Sequence, residues 1–92
     1  MLVGVQLGLD DGARTTLGPG DIVGRMPSAA LVLDDPRISE AHAMVSLRGA
    51  ELQLLALRGM FAVNGEPSKK VVLAAGQHIA FAAGVQVDVL AV

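Results

Sequence analysis

The sequence predicts an all-β domain, an antiparallel sandwich or barrel of short strands. Two observations carry that expectation. Apolar residues alternate with period two, and turn-forming pairs recur at short intervals. Among 92 residues, 14 Ala, 13 Leu and 12 Val supply most of a 52% hydrophobic fraction, against two Phe and no Trp, Tyr or Cys. A chain of this length buries about 60–65% of the surface that its unfolded form exposes, enough for one modest core.

The first strand is read from Val3, Val5, Leu7 and Leu9, which alternate with Leu2, Gly4, Gln6 and Gly8, so that one set faces a core. Asp11-Gly12 and Gly18-Pro19-Gly20 turn the chain, and Gly24-Arg25 closes a strand ahead of Met26-Pro27-Ser28. The apolar run 31–33 stops at Asp34-Asp35-Pro36, and the run 43–47 stops at Arg48-Gly49. Leu52 and Leu54 then alternate with Glu51, Gln53 and Leu55. Beyond Asn64-Gly65, the runs 71–73 and 79–82 are bounded by Ala75-Gly76 and Ala83-Gly84, and Val85, Val87 and Val89 alternate with Gln86 and Asp88. Alanine favours helix, and segments 39–45 and 73–83 are where a helix would fit. Each is cut by a turn signal or by strand alternation, and alanine equally suits close sheet-to-sheet packing. Neither a repeat nor a linker interrupts residues 1–92, which read as a single domain, complete or one module of a longer protein.

Several function classes are poorly matched. Seven basic and nine acidic side chains give a net charge of −2, and only Lys69-Lys70 are adjacent bases. Nucleic acid is therefore not an expected partner, since backbone binding needs surplus cations and single strands need stacking aromatics. The run Ile79-Ala80-Phe81-Ala82-Ala83-Gly84-Val85 falls far short of the ~20 residues of a membrane span. The start, Met1-Leu2-Val3-Gly4-Val5, lacks a basic signal-peptide n-region. The expectation is a soluble cytoplasmic domain without cofactor, metal or membrane insertion. Without Cys there is neither a disulfide framework nor a Cys-ligated zinc site.

The densest polar segment is Asp34-Asp35-Pro36-Arg37-Ile38-Ser39-Glu40-Ala41-His42. Ser39, His42 and an Asp are the residue types of a nucleophilic site, but no Gly-x-Ser-x-Gly elbow presents the Ser. Asp34, Asp35, Glu40 and His42 match neither a calcium loop nor a zinc spacing. The plain alternative is a solvated turn whose carboxylates cap the backbone. Arg25 and Ser39 together suggest anion binding, because a planar guanidinium fork and a hydroxyl both suit phosphate. Alone, Arg25 serves equally well as an ion-pair partner of Asp34 or Asp35.

Read in order, these pieces resemble the forkhead-associated (FHA) domain family. The resemblance lies in Gly20-Asp21-Ile22-Val23-Gly24-Arg25, then Leu31-Val32-Leu33-Asp34-Asp35-Pro36-Arg37-Ile38-Ser39-Glu40-Ala41-His42-Ala43, then Val63-Asn64-Gly65 and Leu73-Ala74-Ala75-Gly76-Gln77-His78-Ile79. It implies an eleven-strand sandwich of two twisted, mainly antiparallel sheets whose loops at one end bind phosphothreonine-containing protein segments. It further implies that Arg25 and Ser39 hold phosphate, with Arg37 or Arg58 assisting, and that Gly24, His42, Asn64 and Gly65 support the loops. A phosphothreonine brings about −1.5 to −2 charge and three acceptor oxygens, which such a donor set matches.

Two departures stand out. Where the family carries Arg or Lys after the Ser, this chain has Glu40. Where the family carries a Ser-x-Asn-Gly-Thr loop, this chain has Leu57-Arg58-Gly59-Met60-Phe61. Asn64 reads either as a type I′ hairpin residue or as a displaced peptide-holding Asn. A second function therefore stands beside the first: a phosphorylation-independent scaffold, similar to cytoplasmic FHA-like domains of type III secretion ring proteins, docking through Met60 or Phe61. An enzyme is not expected.

Overall fold

Eleven short strands form between the turns, most of them on aliphatic segments: β1 (Val5–Leu9), β2 (Arg14–Leu17), β3 (Ile22–Gly24), β4 (Leu31–Val32), β5 (Ala43–Arg48), β6 (Glu51–Ala56), β7 (Phe61–Val63), β8 (Glu66–Ser68), β9 (Lys70–Val72), β10 (His78–Ala82) and β11 (Val85–Ala91). The computed structural model describes residues 3–92. Met1 and Leu2, and with them the start-of-chain reading and the outward place given to Leu2, lie outside the described residues. No helix occurs among the described residues, so 39–45 and 73–83 follow their turn signals rather than their alanines, and no described helix is available to cross a membrane.

The strands make a six-stranded sheet, β2-β1-β11-β10-β7-β8, and a five-stranded sheet, β4-β3-β5-β6-β9. All pairings are antiparallel except β3 with β4. Alternation decides which side chains enter the sandwich. Val5, Leu7, Val87 and Val89 come from one sheet, and Val23, Val45, Leu52 and Leu54 from the other, all buried. The space left among them is about 10 Å³ with a wholly apolar lining, no more than one water needs, so it stays dry.

Two strands carry no sequence signature. In β2 only Leu17 is buried, so Arg14-Thr15-Thr16 shows no apolar alternation. Strand β8 is Glu66-Pro67-Ser68, an edge position where a proline costs no ladder bond.

The antiparallel order sorts the turns into two ends. At one end lie the β1–β2 turn, the β3–β4, β4–β5 and β6–β7 loops and the β10–β11 turn, joined by bonds such as Arg37 Nη2 to the Ala83 carbonyl (2.8 Å) and Leu57 N–H to the His42 carbonyl (2.9 Å). Asn64-Gly65 lies at the other end, where Asn64 N–H meets the His78 carbonyl at 2.8 Å. Strand β10 runs from His78 to Ala82, about 15 Å at ordinary strand rise, and separates the two ends.

Candidate functional site

Strand β3 ends against the β4–β5 loop in continuous backbone contact. His42 N–H donates to the Val23 carbonyl (2.9 Å), Arg25 N–H to the Ser39 carbonyl (3.0 Å) and Met26 N–H to the Glu40 carbonyl (3.2 Å). Such closeness requires glycine at position 24: a Cβ there would sit 2.1 Å from the Glu40 carbonyl oxygen and 2.8 Å from its carbon. The lacing carries the Arg25 side chain over the loop, where Nε donates to the Ile38 carbonyl at 3.0 Å. Its two terminal nitrogens make no hydrogen bond with a described residue, and neither does the Ser39 hydroxyl. Arg25 is exposed and Ser39 half-buried.

His42 is 3% exposed and ties two loops together. Ser39 N–H donates to Nδ1 at 3.2 Å, so the ring proton belongs on Nε2, which donates to the Met60 carbonyl at 2.7 Å. The β6–β7 loop closes over the ring, with Leu57 and Arg58 N–H groups both on the His42 carbonyl and Gly59 against the imidazole, where a Cβ would sit 3.3 Å from Cε1. Beneath, Phe81 meets the imidazole edge-on at 5.6 Å and Phe61 at 6.2 Å. Phe81 sits where the β10–β11 register shifts between Ala80 and Ala82, and this bulge aims a core ring at the loop-bracing histidine. Both ring nitrogens of His42 are engaged with backbone, so neither is left to deprotonate Ser39.

Arg37 does something the sequence reading did not anticipate. Its fork grips Asp35 through Nε (3.0 Å) and Nη2 (2.9 Å), and Nη2 also reaches the Ala83 carbonyl. The Asp35 carboxylate further accepts the Arg37 N–H at 2.9 Å, an Asx turn that Asp-Pro-Arg spacing hints at. These bonds hold the Asp35 carboxyl at about 2, below its ordinary 3.8. The fork expected to assist phosphate instead buttons the β4–β5 loop to the β10–β11 turn.

Gly24, Arg25, Ser39 and His42 thus converge, with the Arg58 loop beside them, and the exposed Arg58 side chain has no hydrogen-bond or ion-pair partner among the described residues. Asn64 and Gly65 do not join them. Both have positive φ, 50° and 87°, in a two-residue β7–β8 hairpin, and Asn64 Oδ1 accepts the His78 N–H at 2.9 Å. This is the type I′ alternative, and it leaves the pair bracing the far end of β10 rather than the binding loops. Of the two residues considered for docking, Phe61 is core and Met60 is 44% exposed. Met60 and Phe81 were missed as loop supports because one acts through its carbonyl and the other through a bulge. Among the described residues no three His, Asp or Glu side chains are grouped to hold a metal ion.

The fold and site define a class by architecture: two-sheet sandwiches that carry a laced cluster of donor-bearing loops at one end. The FHA domain family model matches residues 22–82. The chain is 37% identical over 82 residues to the glycogen accumulation regulator GarA of Mycolicibacterium smegmatis, covering 85% of this chain and 51% of GarA. It therefore spans about half the length of that relative. An FHA domain solved in work on phosphothreonine-dependent FHA domain interactions superimposes with a TM-score of 0.82 at 29% identity over 96% of each chain. The FhaA FHA domain, solved in complex with the intracellular domain of Rv3910, gives 0.81 at 30% identity over 92% of this chain and 98% of that one. The chain belongs to the FHA domain family, a family of protein-interaction modules.

Proposed function

We propose that the domain binds phosphothreonine-containing protein segments through the terminal nitrogens of Arg25 and the hydroxyl of Ser39. One observation carries this reading: Arg25 is anchored by Nε to the Ile38 carbonyl while the rest of its fork is unspent beside Ser39. An anchored guanidinium has already lost most of its rotamer freedom, so phosphate captures it at little entropic cost. Similarity to the FHA domain studied for phosphothreonine-dependent interactions supports the ligand class. Arg58 serves as the second cation, in place of the hydroxyl and amide side chains that the segment Leu57-Arg58-Gly59-Met60 lacks. Glu40 opposes phosphate from the position after Ser39. Arg37 acts at one remove, by holding the loop.

The test is an NMR titration of the labelled domain with phosphothreonine peptides beside their unphosphorylated twins. Saturable shifts at Arg25, Ser39 and Arg58 are expected only with phosphate. Arg25→Ala should weaken binding by tenfold or more, equivalent to about 1.5–3 kcal/mol for a charged hydrogen-bond set. Glu40→Lys should tighten it. Identical behaviour of both peptide sets overturns the reading and leaves the phosphorylation-independent scaffold.

A further inference from the structure

A groove of about 340 Å³ lies at the same end of the sandwich as the proposed phosphate site, walled by the β1–β2 turn, by β4 with the loop after it, and by the β10–β11 turn. Leu9, Leu31, Leu33 and Val85 line it with aliphatic carbon, and Asp10, Asp11 and Asp34 bring carboxylates to it. Asp35 borders it too, but its charge is spent on Arg37, and Asp11 Oδ1 accepts the Ala13 N–H at 2.8 Å. Asp10 and Asp34 are exposed, and neither has an ion-pair or side-chain hydrogen-bond partner among the described residues.

The two chemistries of the groove select one kind of occupant. An aliphatic side chain would use the lining and leave the carboxylates unanswered. A hydrated cation would use the carboxylates and gain nothing from the leucines. A Lys or Arg uses both, laying its methylene stem on carbon while its head stays at the wet, acidic rim. The groove is tied to the strand that carries Arg25. Leu33 N–H donates to the Gly24 carbonyl at 2.9 Å, one residue before Arg25, and the Arg37 fork ties Asp35 to the Ala83 carbonyl. That seam puts the groove within reach of a segment whose phosphate rests at Arg25 and Ser39.

We infer that the groove docks a Lys or Arg side chain from the same protein segment that presents the phosphothreonine. The preferred partner is then bipolar, an anion at Arg25 and a cation at Asp10 and Asp34. This rests on the phosphothreonine reading of the Arg25 site and adds a sequence preference to it.

Fluorescence-anisotropy titrations with labelled phosphothreonine peptides on an alanine-serine background test it. Each flanking position in turn carries Lys or norleucine, which share a stem and differ in charge. At one or two adjacent positions Lys should bind about three- to fivefold tighter than norleucine, the upper range for a solvent-accessible ion pair. Added salt should narrow the gap. The double variant Asp10→Asn, Asp34→Asn, near-isosteric and with no side-chain bond to lose among the described residues, should erase the difference between Lys and norleucine, with norleucine peptides bound no more weakly than before because two charges that repel phosphate are gone. Lys equal to norleucine at every position, or a preference surviving in the double variant, overturns the groove while phosphate binding stands. If no phosphothreonine peptide binds at all, the reading of the Arg25 site falls, and this inference with it.

Discussion

Gly24 and Asp35 show how single residues hold the loop end of the sandwich together. Glycine at position 24 is demanded by close approach rather than by torsion, because the Glu40 carbonyl occupies the place of a Cβ. Gly24→Ala should destabilise the domain by about 1–3 kcal/mol, as overpacking does. It should also speed amide exchange at Arg25, whose N–H bond to Ser39 depends on that approach; urea denaturation and hydrogen exchange check both. Asp35 works by charge. Its folded carboxyl, at about 2, lies below its ordinary 3.8, so the clamp on Arg37 contributes fully above the ordinary value and is lost as pH falls through about 2. Carboxyl-carbon NMR should find Asp35 titrating near 2, and Arg37→Ala should raise it only part of the way toward 3.8, because alanine loses the guanidinium bonds but keeps the residue-37 N–H on the carboxylate. Titration near 3.8 in the unsubstituted domain would show that the clamp is not populated in solution.

At the scale of elements, the β7–β8 hairpin is set by local chemistry and β10 by its neighbours. Asn64-Gly65 is a pair that tolerates positive φ at both positions, so the turn type is legible from two residues. Asn64→Ala should cost about 1–2 kcal/mol, combining a left-handed alanine with a lost hydrogen bond to His78. Phosphopeptide affinity should be unchanged, because the hairpin lies at the opposite end of β10. Equal weakening of binding and stability would contradict that separation. Strand β10 reads as a plain apolar run, yet its useful feature is the bulge at Phe81. A bulge depends on the register of the partner strand, which residues 79–82 do not contain.

For the molecule as a whole, the sandwich acts as a rigid mount whose core reaches the site through Phe61, Phe81 and His42. The cavity among Val5, Leu17, Val23, Ile79, Phe81 and Val87 is only about 10 Å³, so deletions beside it find little slack to absorb them. Ile79 is 1% exposed, and Ile79→Ala should cost about 2–5 kcal/mol. For a domain of this size each kcal/mol lowers the melting temperature by about 4–8 °C, which calorimetry reads directly. A change below about 1 kcal/mol would mean that the core collapses around the deletion, and the packing described here is looser in solution.

What the sequence determined by itself is whatever a short window encodes. Period-two alternation marked Val5–Leu9, Glu51–Ala56 and Val85–Ala91, short apolar runs marked several of the others, and turn pairs marked where the chain reverses. The ordered pieces from Gly24-Arg25 through Ser39-x-x-His42 carried the family. Strands such as Arg14–Leu17 and Glu66–Ser68 escaped because their pairing is stabilised by neighbours rather than by their own side chains. The site was legible as a list of residue types, but not as a division of labour among them. Only the tertiary structure decided that Arg25 keeps a free fork while Arg37 spends its own, and that Asn64 stands a strand's length from the loops. Hydrogen bonds to carbonyls such as those of Ile38, Ala83 and Met60 made those choices. Every residue carries a carbonyl, so sequence holds no mark of which one a side chain will find until the fold brings distant segments together.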